Sequence, residues 1–187
     1  MRVIGGKLRG KNISFIKNLN TRPLKDSVKE NIFNILQHSN LINIDILNSK
    51  VLDLYSGVGS FGIEAISRGA SKVIFIDKDN VAQRTLKKNL KKLKITTEAS
   101  VINNEIEREI CNIEKKKFSI FFFDPPFKDL NYLKIINSIR KKNLFNKRHI
   151  VIIHREKNSN ENLNEDLAIL VTKVYGRSKI FFANFLT

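Results

Sequence analysis

From Val51 onward, short apolar runs alternate with longer segments in which apolar residues return every three or four positions. The runs near 51–55, 72–77, 99–103, 118–123 and 149–154 read as strands, and the segments near 60–68, 79–93, 104–114 and 130–141 read as amphipathic helices. Such alternation builds βαβ crossovers and a mostly parallel sheet. After Asn158 the rhythm changes. Residues 157–165 are polar, and Leu167 to Tyr175 and Ile180 to Leu186 then read as two strands joined around Gly176. Upstream, residues 1–24 read as extended or hairpin structure around Gly5-Gly6 and Gly10. Asp26 precedes a helical pattern of Val28, Ile32, Phe33, Ile35 and Leu36, as its N-cap or first-turn acid. The expected architecture is α/β, with a mostly parallel seven-stranded sheet, a terminal antiparallel hairpin and a short N-terminal extension.

Two strand ends carry the candidate chemistry. The apolar run Phe118 to Phe123 ends in Asp124-Pro125-Pro126-Phe127. Prolines have no N–H and fix φ near about −65°, so this loop presents acceptors in set directions, with a carboxylate before them and an aromatic face after. An exocyclic amine has two N–H donors that such a loop can accept, through the Asp124 side chain and the Pro125 carbonyl, and Phe127 can stack on the ring that bears it. The run from Val51 leads into Asp53-Leu54-Tyr55-Ser56-Gly57-Val58-Gly59-Ser60-Phe61-Gly62, a sharp strand-to-helix turn, and a second strand ends at Asp77, 20 residues after Gly57. Gly57 and Gly59 permit positive φ and close approach of a ligand, Gly62 permits tight helix–sheet packing, and Asp77 can accept both hydroxyls of a ribose.

The glycine spacing fits a dinucleotide site as well as an S-adenosylmethionine site. Asp53 favours the latter, because its carboxylate would attract a cationic amine and repel a pyrophosphate. The acceptor loop points the same way, since it serves amine methylation and has no task in hydride transfer.

Composition narrows the partners. The chain has 187 residues, 42% of them hydrophobic, enough for one sizeable core, and no apolar stretch approaches a membrane span. The first residues lack the apolar centre of a secretory signal, so a cytoplasmic protein is expected. Basic residues outnumber acidic ones 34 to 18, for a net charge of +16, which points to a polyanion. Abundant lysine follows a general Lys, Asn and Ile bias, so arginine says more. Arg2, Arg9 and Arg22 fall in the first thirty positions, a segment with eight basic and two acidic residues. It reads as an RNA-gripping arm or a basic solubilising tail. Cys111 is expected to be a packing residue, His38, His149 and His154 to have surface or shell roles, and no metal is expected.

The chain resembles the RsmD-type enzymes, bacterial methyltransferases acting on the exocyclic N2 of a guanine in small-subunit ribosomal RNA. The resemblance spans nearly the whole sequence. It rests on Arg2 with Gly5-Gly6 and Leu8-Arg9-Gly10; Arg22-Pro23 with Asp26, Val28, Glu30 and Phe33; Asp53 through Gly62 continuing to Ala70; Asp77; Asp124 through Phe127; and Tyr175-Gly176. It implies a class I, Rossmann-like methyltransferase fold and a monomer acting on 16S ribosomal RNA or a small-subunit assembly intermediate, with no membrane partner. Residues 1–40 would form an RNA-binding extension with the first helix, and 41–187 the catalytic domain. Implied catalytic residues are Asp124, Pro125, Pro126 and Phe127. Implied S-adenosylmethionine contacts are Asp53, Tyr55, Gly57, Gly59, Asp77, Lys78, Asn103 and Asn104, and implied RNA contacts are Arg2, Lys7, Arg9, Lys11 and Arg22. The chain departs from the family pattern at Ser27 and Lys29, where arginines are usual, so a changed RNA grip is expected because lysine cannot bind phosphate bidentately. The acceptor loop alone leaves adenine N6 and a protein glutamine amide as other amine substrates. A noncatalytic RNA-binding module with the same fold is a further alternative, disfavoured by the intact glycine loop, Asp77 and Asp124.

Overall fold

The computed structural model describes residues 1–16, 24–113 and 116–186. Arg22 and Pro23, named above from the sequence, lie outside the described residues. In chain order the elements are α1 (Asp26–His38), β1 (Lys50–Leu54), α2 (Ser60–Ser67), β2 (Lys72–Asp77), α3 (Asn80–Leu93), β3 (Ala99–Asn103), α4 (Ile106–Asn112), β4 (Phe118–Phe123), α5 (Asn131–Lys141), β5 (Phe145–Glu156), β6 (Leu167–Tyr175) and β7 (Ser178–Phe185). The strands form one seven-stranded sheet in the order β3-β2-β1-β4-β5-β7-β6. The first five run parallel, and β7 pairs antiparallel with both β5 and β6.

Strand side chains alternate between two cores, as the pleat requires. Val51, Val73, Phe75, Ile120 and Phe122 join α1, α2 and α3 on one face. Leu52, Leu54, Ile74, Phe121 and Phe123 join α4 and α5 on the other. Burial on both faces explains why β4 reads as the nearly unbroken apolar run Phe118–Phe123. A stack of Phe33, Phe61 and Phe122, with centroids 5.0 and 4.0 Å apart, ties α1 and α2 to β4. Among the described residues, no helix is long and apolar enough to cross a membrane.

The N-terminal segment shares this core. Val3, Ile13 and Leu24 are buried with Val51, Phe61 and Ile120, so residues 1–16 and α1 share one core with the sheet, with no core boundary near residue 40 among the described residues. Glu64, fully buried in α2, accepts from the Ile4 and Gly5 N–H groups at 2.7 Å each and from Arg68 Nε at 2.8 Å. Lys29 is fully buried too. It donates to the Arg2 carbonyl and Ser60 Oγ and lies 3.8 Å from Glu64, so it fastens the segment from beneath and is unavailable to RNA. Asp26 stands in the first turn of α1, whose N-cap is Lys25.

Candidate active site

A parallel sheet presents its ligand crevice at the carboxyl ends of its strands, where the strand order reverses. Here the reversal falls between β1 and β4, and a cavity of about 560 Å³ opens there. Its lining includes Asp53, Tyr55, Gly57, Asp77, Lys78, Asn104 and the whole of Asp124-Pro125-Pro126-Phe127. The two strand-end motifs therefore meet in one site.

At the β1 end, Tyr55, Gly57 and Gly59 take positive φ of 58°, 53° and 83°, turning the chain into α2. Gly62 supplies close packing, since a Cβ there would stand 2.3 Å from the Phe75 ring. Asp53 is buried. Its Oδ2 accepts from Gly62 N–H at 2.9 Å, while Oδ1 is buried with no hydrogen-bond partner among the described residues. Burial pushes this carboxyl well above the usual range against the Gly62 bond, and the charges of Asp124 and Asp77 add to the rise. The site is thus built to gain from an arriving cation.

Asp77 ties the glycine turn to β2. Its Oδ2 accepts from Gly57 N–H at 2.8 Å and its Oδ1 from Asp79 N–H at 2.9 Å. Each oxygen keeps a second lone pair for a hydroxyl. Burial raises its pKa, with the Asp79 and Gly57 bonds opposing.

Two sequence-derived contacts lie off the cavity wall, and a third reaches it with its side chain already engaged. Gly59 is off the cavity wall, caps α2 and packs against Leu86 and Phe75. Asn103 is likewise off the wall and donates to Asn80. Asn104 reaches the lining, but its Oδ1 accepts from Glu105 N–H and its Nδ2 donates to Glu109. Two acids just beyond the third strand, Glu105 and Glu107, also line the cavity. With Asp53, Asp77 and Asp124 they outnumber Lys78 among the described residues of the wall, an arrangement that disfavours a pyrophosphate and weakens the dinucleotide reading.

The acceptor loop is held from behind by residues that the sequence reading had not assigned to it. Arg155, 1% exposed, donates from Nη1 to the Pro126 carbonyl at 3.1 Å and from Nη2 to the Phe127 carbonyl at 2.7 Å. Its Nε donates to Glu161 Oε1 at 2.7 Å and its guanidinium lies over the Tyr132 ring at 4.7 Å. The Pro126 carbonyl also accepts from Asp129 N–H. Pro125 also lines the cavity, and no donor among the described residues reaches its carbonyl. Asp124 Oδ1 meets His154 Nδ1 at 2.8 Å, and the His154 ring meets the Phe127 ring edge-on at 5.9 Å. The sequence carried a signal for this pair: His154-Arg155 is a polar dipeptide ending the apolar run Ile150 to Ile153, one strand over from Asp124.

The other histidines and Cys111 also differ in part from expectation. His149 is a buried structural residue whose Nε2 accepts from Phe185 N–H at 2.9 Å, so Nδ1 carries the proton and donates to Asn146 O. His154 is buried beside the site, and Cys111 is exposed rather than packed. His38 lies at the surface, and His154 stands in the shell of the site, within the roles expected of them. Arg2, Lys7, Arg9 and Lys11 are exposed on the docked N-terminal segment, with Lys7 paired to Glu98 and Arg2 3.9 Å from Asp26. Met1, Phe15 and Ile16 of the same segment form part of the cavity wall, a contribution with no signal in the sequence.

Comparison with known proteins agrees with this geometry. The Conserved hypothetical protein 95 family matches residues 1–184. YlbH of Bacillus subtilis, a proposed rRNA methyltransferase, is 40% identical over 131 residues, covering 69% of this chain and 68% of that protein. Ribosomal RNA small subunit methyltransferase D of Haemophilus influenzae is 30% identical over 178 residues, covering 94% and 89%. The solved structure of yhhF from Escherichia coli, a proposed methyltransferase, matches with a TM-score of 0.81 at 26% identity over 99% of this chain and 97% of that one. The chain belongs to the Conserved hypothetical protein 95 family, the RsmD-type methyltransferases that its sequence resembles.

Proposed function

We propose that this protein methylates the exocyclic N2 of a guanine in 16S ribosomal RNA, with S-adenosylmethionine as methyl donor. One observation carries the reading. Asp124, whose Oδ2 meets no side-chain donor among the described residues, and Pro125, whose carbonyl likewise meets none, share the cavity wall with Asp53 and its unpartnered Oδ1. The first pair suits an amine with two N–H donors, and the buried acid suits a cationic amino group.

The residues present fit the donor. Asp53 would meet its amino group, the backbone around Tyr55 and Gly57 its body, and Asp77 its ribose, while Asn104 with Glu105 or Glu107 flanks the adenine end. When bound, S-adenosylmethionine supplies a methyl group on a positively charged sulfur, open to direct displacement.

The remaining work belongs to the chain. A guanine must leave its stack to bring N2 into this cavity. Asp124 and the Pro125 carbonyl accept both amine hydrogens, which keeps the nitrogen lone pair available for attack. Phe127 supports the ring. A nitrogen that has gained a methyl carries a surplus proton, which Asp124 Oδ2 accepts and passes to water. Holding the reacting atoms about 3–3.5 Å apart is the main catalytic device. Arg2, Lys7, Arg9 and Lys11 would contact RNA phosphates along the docked segment.

Nucleoside mass spectrometry of 16S ribosomal RNA incubated with the enzyme and labelled S-adenosylmethionine tests the reading. N2-methylguanosine is expected. Label in N6-methyladenosine would favour the adenine alternative, and label in protein the glutamine one.

A further inference from the structure

Asp124 has two oxygens, and among the described residues only Oδ1 faces a side-chain donor. His154 Nδ1 lies 2.8 Å from Oδ1, and His154 Nε2 lies 2.9 Å from Ser178 Oγ at the start of β7. A carboxylate only accepts, so Nδ1 carries the proton in this pair. Nε2 then has two options. In the neutral ring it accepts the Ser178 hydroxyl hydrogen; in the cation it donates to the same oxygen after that hydroxyl rotates. The ring therefore keeps its place in both charge states.

We propose that His154 is a positioning residue for methyl transfer, holding Asp124 by Oδ1 so that Oδ2 faces the amine, and that the charge on its ring sets how strongly Oδ2 accepts. This rests on the methyl-transfer reading above. A neutral His154 leaves more negative charge on the carboxylate for the substrate amine, whereas an imidazolium at 2.8 Å draws it toward Oδ1. Methyl transfer should rise as His154 loses its second proton.

The charged groups around the ring make that titration accessible. Asp124 faces Nδ1 from the end of β4, and Arg155 follows His154 in β5, committed to Glu161 and the loop carbonyls. On β7, Lys179 donates to the Ser159 carbonyl. The Phe127 ring edge packs on the imidazole. Burial opposes the imidazolium, Asp124 favours it through charge and hydrogen bond, and Arg155 opposes it; the balance lies above the ordinary histidine value.

The test is single-turnover methyl transfer to 16S ribosomal RNA from pH 5.5 to 9, at saturating S-adenosylmethionine, for wild type, His154→Asn and His154→Ala. Asparagine offers a donor in place of Nδ1–H without titrating. Wild type should show a rate that rises with pH through an apparent pKa above the ordinary 6.5 and then levels. His154→Asn should keep a rate within about tenfold of that plateau and lose the rise. His154→Ala should be slower by roughly 10- to 150-fold, the cost of one hydrogen bond to a charged group, again without the rise. His154→Asn retaining the wild-type pH profile, or His154→Ala matching wild type at the plateau, overturns the proposal. An active wild type with either result leaves the functional reading standing, whereas a wild type that methylates no RNA overturns both. Asparagine at 154 keeps the test decisive if the alanine protein fails to fold.

Discussion

Arg155 Nη2 donates to the Phe127 carbonyl at 2.7 Å, so the aromatic end of the acceptor loop is fixed by a guanidinium buried beneath it. The same group reaches the Pro126 carbonyl and Glu161. Five donors in a rigid fork make this possible, and lysine has no such geometry. The loop is therefore set before any substrate arrives, and Arg155 leaves the Pro125 carbonyl alone.

Replacing Arg155 by alanine should cost about 3–5 kcal/mol of stability, because Glu161 is left mostly buried and unpaired. The Arg155→Ala, Glu161→Ala double variant should lose less than the sum of the two single changes. Urea unfolding of the three variants checks this; strict additivity would mean that the pair is not coupled.

Asp77→Ala should weaken S-adenosylmethionine binding by about 1.5–3 kcal/mol, the range for a hydrogen bond to a charged group. It should also lower the melting temperature, since Gly57 and Asp79 N–H lose their acceptor. Calorimetry with unchanged affinity would remove Asp77 from the site.

Asp53 gives a pH-dependent signature. Its folded-state pKa is raised, so the ligand-free fold binds this proton more tightly than the unfolded chain does. Its contribution to stability is therefore lost as pH rises from the ordinary carboxylate range through the raised value. Asp53→Asn keeps an acceptor for Gly62 N–H and removes the titration. Its melting temperature relative to wild type should climb between pH 4 and pH 8, while S-adenosylmethionine affinity falls. A difference that stays constant with pH would contradict a raised Asp53.

The basic segment is better tested by point changes than by removal, because Val3 and Ile13 belong to the core. Arg9→Ala with Lys11→Ala removes two exposed charges from a docked surface. If both meet phosphates, the slope of log K against log salt should become shallower by about 1.4–1.8, with cofactor affinity unchanged. An identical slope would make this face a solubilising surface only.

The sheet and its helices were legible because β1, β2 and β4 are buried on both faces, while α1, α3 and α5 are buried on one, which writes two distinct patterns into the chain; α2 is buried all round. The first parallel half of the site was equally legible, since glycine turns and strand-end acids sit next to each other in sequence. What remained hidden depends on distant contacts. Lys29 reads as a surface cation, and only the docking of Arg2 and Glu64 over it shows otherwise. His154 and Arg155 gain their roles from a neighbouring strand 30 residues earlier, and Ser178 from a hairpin 24 residues later. Asn103 and Asn104 were adjacent candidates that a turn of the backbone separated, sending one away from the cavity.

In the proposed reaction Asp124, with the Pro125 carbonyl, accepts the hydrogens of a guanine N2 amine. Its most direct test is nucleoside mass spectrometry of 16S ribosomal RNA from cells lacking the gene and supplied with either wild type or Asp124→Ala. Wild type should restore one N2-methylguanosine, and Asp124→Ala, though still binding S-adenosylmethionine, should not. Full N2-methylguanosine from Asp124→Ala, or none from wild type, would contradict the account.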